Sequence, residues 1–436
     1  MNEHPTINIF WFRRDLRFHD NHALFEALNS GFPVLPIFVF DTHILKNSAN
    51  KKDLRLIFIH QQLLRLKSEF EKRGSSLLML YGNAEEVFRD LFTRFRINAI
   101  YTNHDYEPYA RERDERIMKI AGQHHICFYS FKDQLVFEKD EILKKDGKPY
   151  TVFTPYSRRW KECINNEALP GFPSENDTDH LYKTAPFPVI GLEEMGFVQA
   201  PAVFPEIDLS DRMFLQYAKT RDFPAPDSTS KAGLHLRFGT VSIRQVVKKA
   251  LEKSEIYLNE LIWREFFMQI LWHFPHVVHL SFRSKYDHIQ WRNNEHEFEA
   301  WCRGETGYPI VDAGMRQLNE SGFMHNRVRM ITASFLTKHL LVDWRWGEAY
   351  FASLLLDYEL SSNNGNWQWA AGTGCDAAPY FRIFNPGAQA LKFDPEKTYI
   401  YKWIPDYKCD HYLPPIADHG FARQRALETY KKALFH

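Results

Sequence analysis

The spacing of apolar positions changes part-way along this chain. In the first third, short apolar runs at 7–12, 34–40, 76–80, 99–102 and 126–129 have the length and the β-branched or aromatic content of buried strands. Between them, 21–28, 53–73, 84–96 and 108–121 carry helical periodicity; Asp20 or Asn21 suits the first helix start, and Gly74 and Gly122 follow two of the ends. Strand and helix thus alternate five times within about 130 residues, which predicts a doubly wound, Rossmann-like, five-stranded parallel sheet. The first turn lacks G-x-G-x-x-G, so the usual dinucleotide fingerprint is absent.

Beyond residue 211 the period-2 and short-run signals fade. Segments 212–220, 242–253, 256–274, 295–304, 310–321, 327–342 and 346–357 all read as helices. Between the two patterns, 169–205 is rich in Pro, Gly and acidic residues with little periodicity, the mark of a connection running over a surface. The expectation is an α/β domain over 1–131, a long linker over 132–210 and an all-helical domain over 211–436.

Composition adds limits. A chain of 436 residues suits two domains. Lys and Arg together number 55, as do Asp and Glu, so a nucleic-acid surface has to be a local basic patch. Aromatics reach 15%, enough to line a large aromatic pocket or to fill a helical core. Cys127, Cys163, Cys302, Cys375 and Cys409 are scattered and odd in number, which suggests reduced thiols. With no signal pattern at the start and no run able to span a bilayer, the expected location is cytoplasmic, without a membrane partner. His273, His276 and His279 are interrupted by Pro275 and lack completing ligands, so no metal is assigned. No G-x-S-x-G and no Cys–His pairing point to nucleophilic catalysis.

Four constellations carry possible chemistry. Residues 357–386 (DYELSSNNGNWQWAAGTGCDAAPYFRIFNP) place carboxylates, paired Asn and two Trp together. That composition suits a flat aromatic guest with a hydrogen-bonded edge, and equally a buried polar loop. Glu260, Trp263, Arg264 and Phe267 share one helical face, as a site or as a core Trp beside an ion pair. Asn326, Arg329 and Met330 repeat that spacing, offering an amide beside a soft wall or an exposed basic helix start. Residues 217–233 combine hydroxyls, small residues and Lys231, which hold a phosphate or make a plain turn.

Taken together, the motifs resemble the photolyase/cryptochrome family along nearly the whole chain. They run from WFRRDLRFHDN through FTPYSRRW, RDFPAPDSTSK, LRFGTVS, NELIWREFF and WCRGETGYPIVDAGMRQLNESGFMHNRVRMITASFL to NNGNWQWAAGTGCDAAPYFRIFNP. The resemblance implies an N-terminal α/β domain and a C-terminal helical domain holding FAD. It also implies a monomer that acts on UV-damaged DNA containing pyrimidine dimers. In such enzymes reduced FAD passes an electron, under blue light, to a dimer flipped out of the duplex.

Carried onto this sequence, the resemblance puts Tyr217, Thr229, Ser230, Lys231, Ala232 and Gly233 around the FAD phosphates and counts Tyr257 among the residues that bind FAD. It puts Arg329, Asp357, Tyr358 and Glu359 at the flavin edge, with Arg329 paired to Asp357, and Asn363 opposite the central-ring nitrogen. Trp367, Trp344 and Trp291 match the chain of three Trp that reduces FAD from the surface. Trp263 and Trp369 would wall the flipped dimer, Glu260 and Asn326 would bond its edges, and Met330 would line the pocket. Arg221, Arg264, Arg327 and Gln389 would meet the DNA strand.

Asn326 and Met330 stand where (6-4) enzymes carry a His, and no long C-terminal tail follows YKKALFH. Both features favour repair of cyclobutane dimers, most similar to the class I enzymes, over the alternative of a blue-light receptor (a cryptochrome). Lys231 in place of Arg, Glu359 in place of Asp and Tyr257 in place of Trp depart from the pattern and bear on FAD affinity. Residues 103–114, with Glu107, resemble the region that holds a second, antenna chromophore, either a folate or a deazaflavin.

Overall fold

β1 (Ile7–Phe12) and β2 (Val34–Asp41) are buried along their whole length. Strands covered on both faces belong at the centre of a parallel sheet. With β3 (Leu78–Gly82), β4 (Ile97–Asn103) and β5 (Cys127–Phe131) they form a five-stranded sheet in the order β3-β2-β1-β4-β5, every pairing parallel. α1 (His22–Leu28), α2 (Thr42–Lys46), α3 (Leu54–Glu71), α4 (Ala84–Arg94) and α5 (Pro108–Gln123) supply the crossovers. Asn21 caps α1 and Asp53 caps α3 through side-chain oxygens. The strand order reverses between β1 and β4, and a crevice opens outside the carboxyl ends there. The computed structural model describes residues 5–46, 50–166, 169–408 and 411–435; Cys409 lies outside them.

The rest of the chain is helical: α6 (Phe153–Asn166), α7 (Asp211–Thr220), α8 (Ala232–Phe238), α9 (Ile243–Lys253), α10 (Glu255–His273), α11 (Glu295–Arg303), α12 (Pro309–Ser321), α13 (Asn326–Ser334), α14 (Trp344–Leu354), α15 (Leu360–Ala371), α16 (Pro386–Phe393), α17 (Thr398–Trp403) and α18 (His419–Phe435). No described helix is long and apolar enough to cross a membrane.

Two compact units emerge, and they divide the chain differently from the sequence expectation. One unit holds Met1–Glu138, Glu162–Ile207 and Lys231–Glu252; the other holds Lys139–Lys161, Asp208–Ser230 and Lys253–His436. Residues 132–210 are therefore shared between the two rather than forming one free-standing linker. α8 and the bulk of α9 join the sheet, not the helical unit. A buried charge cluster explains this. Arg244 of α9 donates to Asp20 (3.1 Å) and Asp133 (2.9 Å), Arg17 donates to Asp133 (2.6 Å), and Ser242 bonds Asp20. Charges this buried must be paired, which fixes α9 against the sheet.

The helical unit has its own core around Trp301, Val311, Met315, Leu336, Trp344, Phe351 and Trp367. α15 is the element the periodicity missed. Its sequence, LSSNNGNWQWAA, is poor in strong helix formers. Packing supplies what propensity does not. A Cβ at Gly365 would lie 2.2 Å from the Phe267 ring, and one at Gly347 would lie 2.1 Å from the Trp367 ring. α15 is thus wedged against α10 and α14 through two positions where only Gly fits. The expected helix over 327–342 also differs. α13 stops at Ser334, and Phe335–His339 forms a π-helical turn. That turn carries Lys338 into the core, where its Nζ donates to the Ala371 carbonyl at 2.7 Å, at the C-terminal end of α15.

Candidate active site

Three helices and one short turn bring most of the residues of the site. α10 brings Glu260, Trp263, Arg264 and Phe267. α13, capped by the His325 ring accepting from the Arg327 N–H, brings Asn326, Arg329 and Met330. α15 brings Ser362, Asn363, Asn366, Trp367 and Trp369, and the turn ahead of it brings Asp357, Tyr358 and Glu359. These residues line two cavities in the helical unit. The inner one is walled by Arg329, Asp357, Asn363, Ala333, Leu355 and Trp367, among others. The outer one, ≈ 340 Å³, is lined by Arg221, Glu260, Trp263, Arg264, Phe267 and residues it shares with the inner one. The shared wall consists of Asn326, Met330, Ser362, Asn366 and Trp369.

The inner cavity combines polar side chains, Arg329, Asp357 and Asn363 among them, with apolar ones such as Ala333, Leu355 and Trp367. Arg329 Nη2 donates to both oxygens of Asp357, at 2.9 and 3.1 Å, and its Nε donates to the Met324 carbonyl. Asn363 Nδ2 donates to Glu348 Oε1 (2.8 Å) and to the Glu348 carbonyl (3.1 Å). With its amide nitrogen so engaged, Asn363 has its Oδ1 left to offer a guest. Burial pushes the Glu348 carboxyl up, and the Asn363 bond partly offsets this. Arg264 Nη2 donates to the buried Glu359 at 2.9 Å. A planar ring with hydrogen-bonding groups on one edge, such as a flavin, fits this donor and acceptor set.

Trp367 and Trp369 are two residues apart on α15, so they leave the helix on different sides. Trp367 is buried, with ring contacts to Phe351 (5.0 Å) and Trp301 (6.1 Å). Trp344 is buried in the same core cluster, one helical turn before Gly347, and the partly buried Trp291 packs against that cluster. Trp369 faces the shared wall, with the Arg382 guanidinium over its ring at 5.7 Å.

In the outer cavity, Arg221 Nη1 donates to Glu260 Oε1 at 2.5 Å. Burial pushes the Glu260 carboxyl up, and the net direction stays upward although Arg221 opposes it.

The other expected residues fall as follows. Arg327 pairs with Asp222 (2.6 Å) and lies over Phe393; neither it nor Gln389, in α16, lines either cavity. Ser230 Oγ bonds the Tyr257 hydroxyl at 2.8 Å, and Tyr217 packs edge-on against Tyr257. Tyr217, Thr229 and Ser230 belong to the helical unit, whereas Lys231, Ala232 and Gly233 belong to the α/β unit. None of the six lines either cavity. Sequence reasoning passed over Glu348, Ser362, Asn366, Arg382 and Phe153, whose ring stacks on Trp263. Only Arg382 carried a local signal, a cation between aromatics in FRIF.

Residues 8–174 match the family described as DNA photolyase, and residues 257–410 match the FAD binding domain of DNA photolyase. A deoxyribodipyrimidine photo-lyase of Alkalihalophilus pseudofirmus is 35% identical, over 99% of this chain and 99% of its own length. The chain belongs to the DNA photolyase family. Among solved structures, a class III photolyase from Agrobacterium tumefaciens superposes with a TM-score of 0.86 at 32% identity, covering 99% of this chain and 98% of that one. A cryptochrome from Synechocystis gives 0.82 at 25% identity, covering 98% and 100%. As a photolyase-family protein, the chain carries the family's α/β and FAD-binding parts in the expected order.

A separate cavity of ≈ 210 Å³ lies in the α/β unit, at the crevice outside β1, β2 and β4. Trp11, Phe40, Ile44 and Leu56 give it apolar walls, and Arg13, Arg14, Arg113 and Arg237 give it charge. Glu107 accepts from Arg14 (2.9 Å) and Arg237 (2.7 Å). Burial pushes the Asp105 carboxyl up, but the guanidiniums of Arg14, Arg13 and Arg113 outweigh it and hold it below the usual range.

Proposed function

We propose that this photolyase-family chain repairs cyclobutane pyrimidine dimers in DNA under blue light. The observation that carries the reading is the pair of abutting cavities. One suits a flavin edge and the other a stacked guest, and Asn326, Met330, Ser362, Asn366 and Trp369 line both. FAD, when bound and reduced, supplies the light absorption and the electron. The protein does the rest. Arg329 and Asp357 orient the flavin edge, and Asn363 Oδ1, fixed by Glu348, presents an acceptor to its central ring. Trp263 and Trp369 wall the dimer, which repays the unstacking of its bases. Glu260 and Asn326 bond its edges, with the Glu260 carboxyl held against Arg221 and its pKa raised by burial. Arg221, with Arg327, Arg264 and Gln389 in support, meets the strand.

Trp367, Trp344 and Trp291 return electrons to the cofactor from the surface. Tyr217, Tyr257, Tyr358, Glu359 and the 229–233 loop complete the hold on FAD. The α/β cavity takes a second chromophore, a folate or a deazaflavin, against Glu107 and its arginines. The protein works as a monomer in the cytoplasm.

The test is illumination of the reduced protein with a dimer-containing oligonucleotide. Light-dependent loss of dimers is expected, and its absence overturns the reading. A blue-light receptor on the same scaffold is the second reading, supported by the likeness to the Synechocystis cryptochrome. A receptor has no need of Glu260, Trp263, Asn326, Met330 and Trp369 lining one cavity, and here they do.

A further inference from the structure

The motif FTPYSRRW opens α6, and its role is open after the flavin and the DNA have been accounted for. Phe153, Tyr156 and Trp160 lie at i, i+3 and i+7, on one face of the helix. That face is fastened to α10. Tyr156 and Trp160 are fully buried and both donate to Glu265 Oε1, at 3.3 and 2.5 Å. Tyr156 also packs on Phe266, ring centroids 5.3 Å apart. With the helix pinned by its second and third turns, the first turn sets the Phe153 ring flat on Trp263. The centroids are 3.7 Å apart and the planes 4° from parallel. The Phe153 backbone N–H donates to Asp376 Oδ2 at 2.9 Å, which holds the start of the helix in place.

An indole has two faces. Trp263 lines the outer cavity while Phe153 covers one of its faces; Phe266 meets it edge-on and Phe267 lies tilted beside it. We propose that Phe153 is a positioning residue for lesion recognition: it backs Trp263 so that the indole meets a flipped pyrimidine dimer as a fixed plane. The inference rests on the cyclobutane-dimer reading of the outer cavity. Phe153 itself lines neither cavity. Its effect passes through Trp263, and it depends on a flat ring rather than on filled volume. An aliphatic side chain of similar size would occupy the space and leave the indole free to tilt.

Dark binding of FAD-loaded protein separates these roles. Dissociation constants are measured for one dimer-containing and one undamaged oligonucleotide, with wild type, Phe153→Leu and Phe153→Tyr. Phe153→Leu is expected to weaken dimer binding about five- to tenfold, the lower part of what one aromatic stack on a base is worth, while undamaged DNA changes by less than about twofold. Phe153→Tyr restores wild-type preference. Flavin content and melting temperature, read on each sample, distinguish a lost stack from a lost fold; if the Leu variant does not fold, Phe153→Met makes the same comparison. Equal dimer affinity for Phe153→Leu and wild type, equal weakening toward both DNAs, or a Tyr variant as weak as the Leu variant would each overturn the backing role. If wild type itself shows no preference for the dimer, the cyclobutane reading and this inference fall together.

Discussion

The duties proposed for Glu260, Asn363 and Trp367 are separable, so single substitutions distinguish them. Glu260→Ala is expected to retain FAD and to lower the number of dimers repaired per absorbed photon several-fold, as quantum-yield measurements on bound DNA would show. Loss of FAD instead would give Glu260 a structural role. Glu348→Ala releases the Asn363 amide. A net hydrogen bond of about 1 kcal/mol to the reduced cofactor is then no longer guaranteed, so the flavin midpoint potential moves negative. Redox titration checks this, and an unchanged potential contradicts the assigned orientation. Trp367→Phe is expected to stop photoreduction of oxidised flavin and to spare repair by chemically reduced protein. Photoreduction at the wild-type rate would remove Trp367 from the electron supply.

At the scale of elements, the site depends on α15 and the π-helical turn before α14. Gly347→Ala forces a Cβ to within 2.1 Å of Trp367, and overpacking of this kind costs about 1–3 kcal/mol, which thermal melts resolve. The π-turn adds a pH dependence. Burial, then His419 and Arg425, lower the His339 pKa from 6.5 to about 3. Unfolded protein therefore binds a proton that folded protein refuses between those values. Stability from this group is full above about pH 6.5 and is lost as pH falls, at roughly 1.4 kcal/mol per pH unit at most. Melting temperature should drop between pH 6.5 and 4 in wild type and flatten in His339→Asn. Parallel curves would rule out His339 as the source.

Elements were legible in the sequence where local and global demands agree. The run INIFWF reads as a buried strand and is one, because its period and its place at the sheet centre say the same thing. α15 was illegible because its helicity comes from contacts of Gly347 and Gly365 with residues far along the chain. Two residues apart, Trp367 and Trp369 can serve different partners only from a helix or turn, and α15 supplies the helix.

Across the whole molecule, the order of an α/β unit and a helical flavin-binding unit was readable from periodicity and motif. The boundaries were not. Residues 231–252 carry helical spacing like their neighbours, but the ion pairs of Arg244 with Asp20 and Asp133 assign them to the sheet. Such pairing across more than a hundred residues leaves no local trace. The candidate site shows the same limit. The motifs pointed to Arg264 but not to its ion pair with the buried Glu359. They also missed Glu348, which orients Asn363 from a neighbouring helix.

If the two abutting cavities perform light-driven dimer repair, the reduced protein and light are enough to clear a dimer. Purified, chemically reduced protein is mixed with an oligonucleotide carrying a single cyclobutane thymine dimer, and dimer content is followed in the dark and under blue light. Dimers should disappear under blue light alone, at a rate that falls when Glu260 is replaced by Ala. Dimer content that stays constant under light, with flavin bound and reduced throughout, would contradict the account.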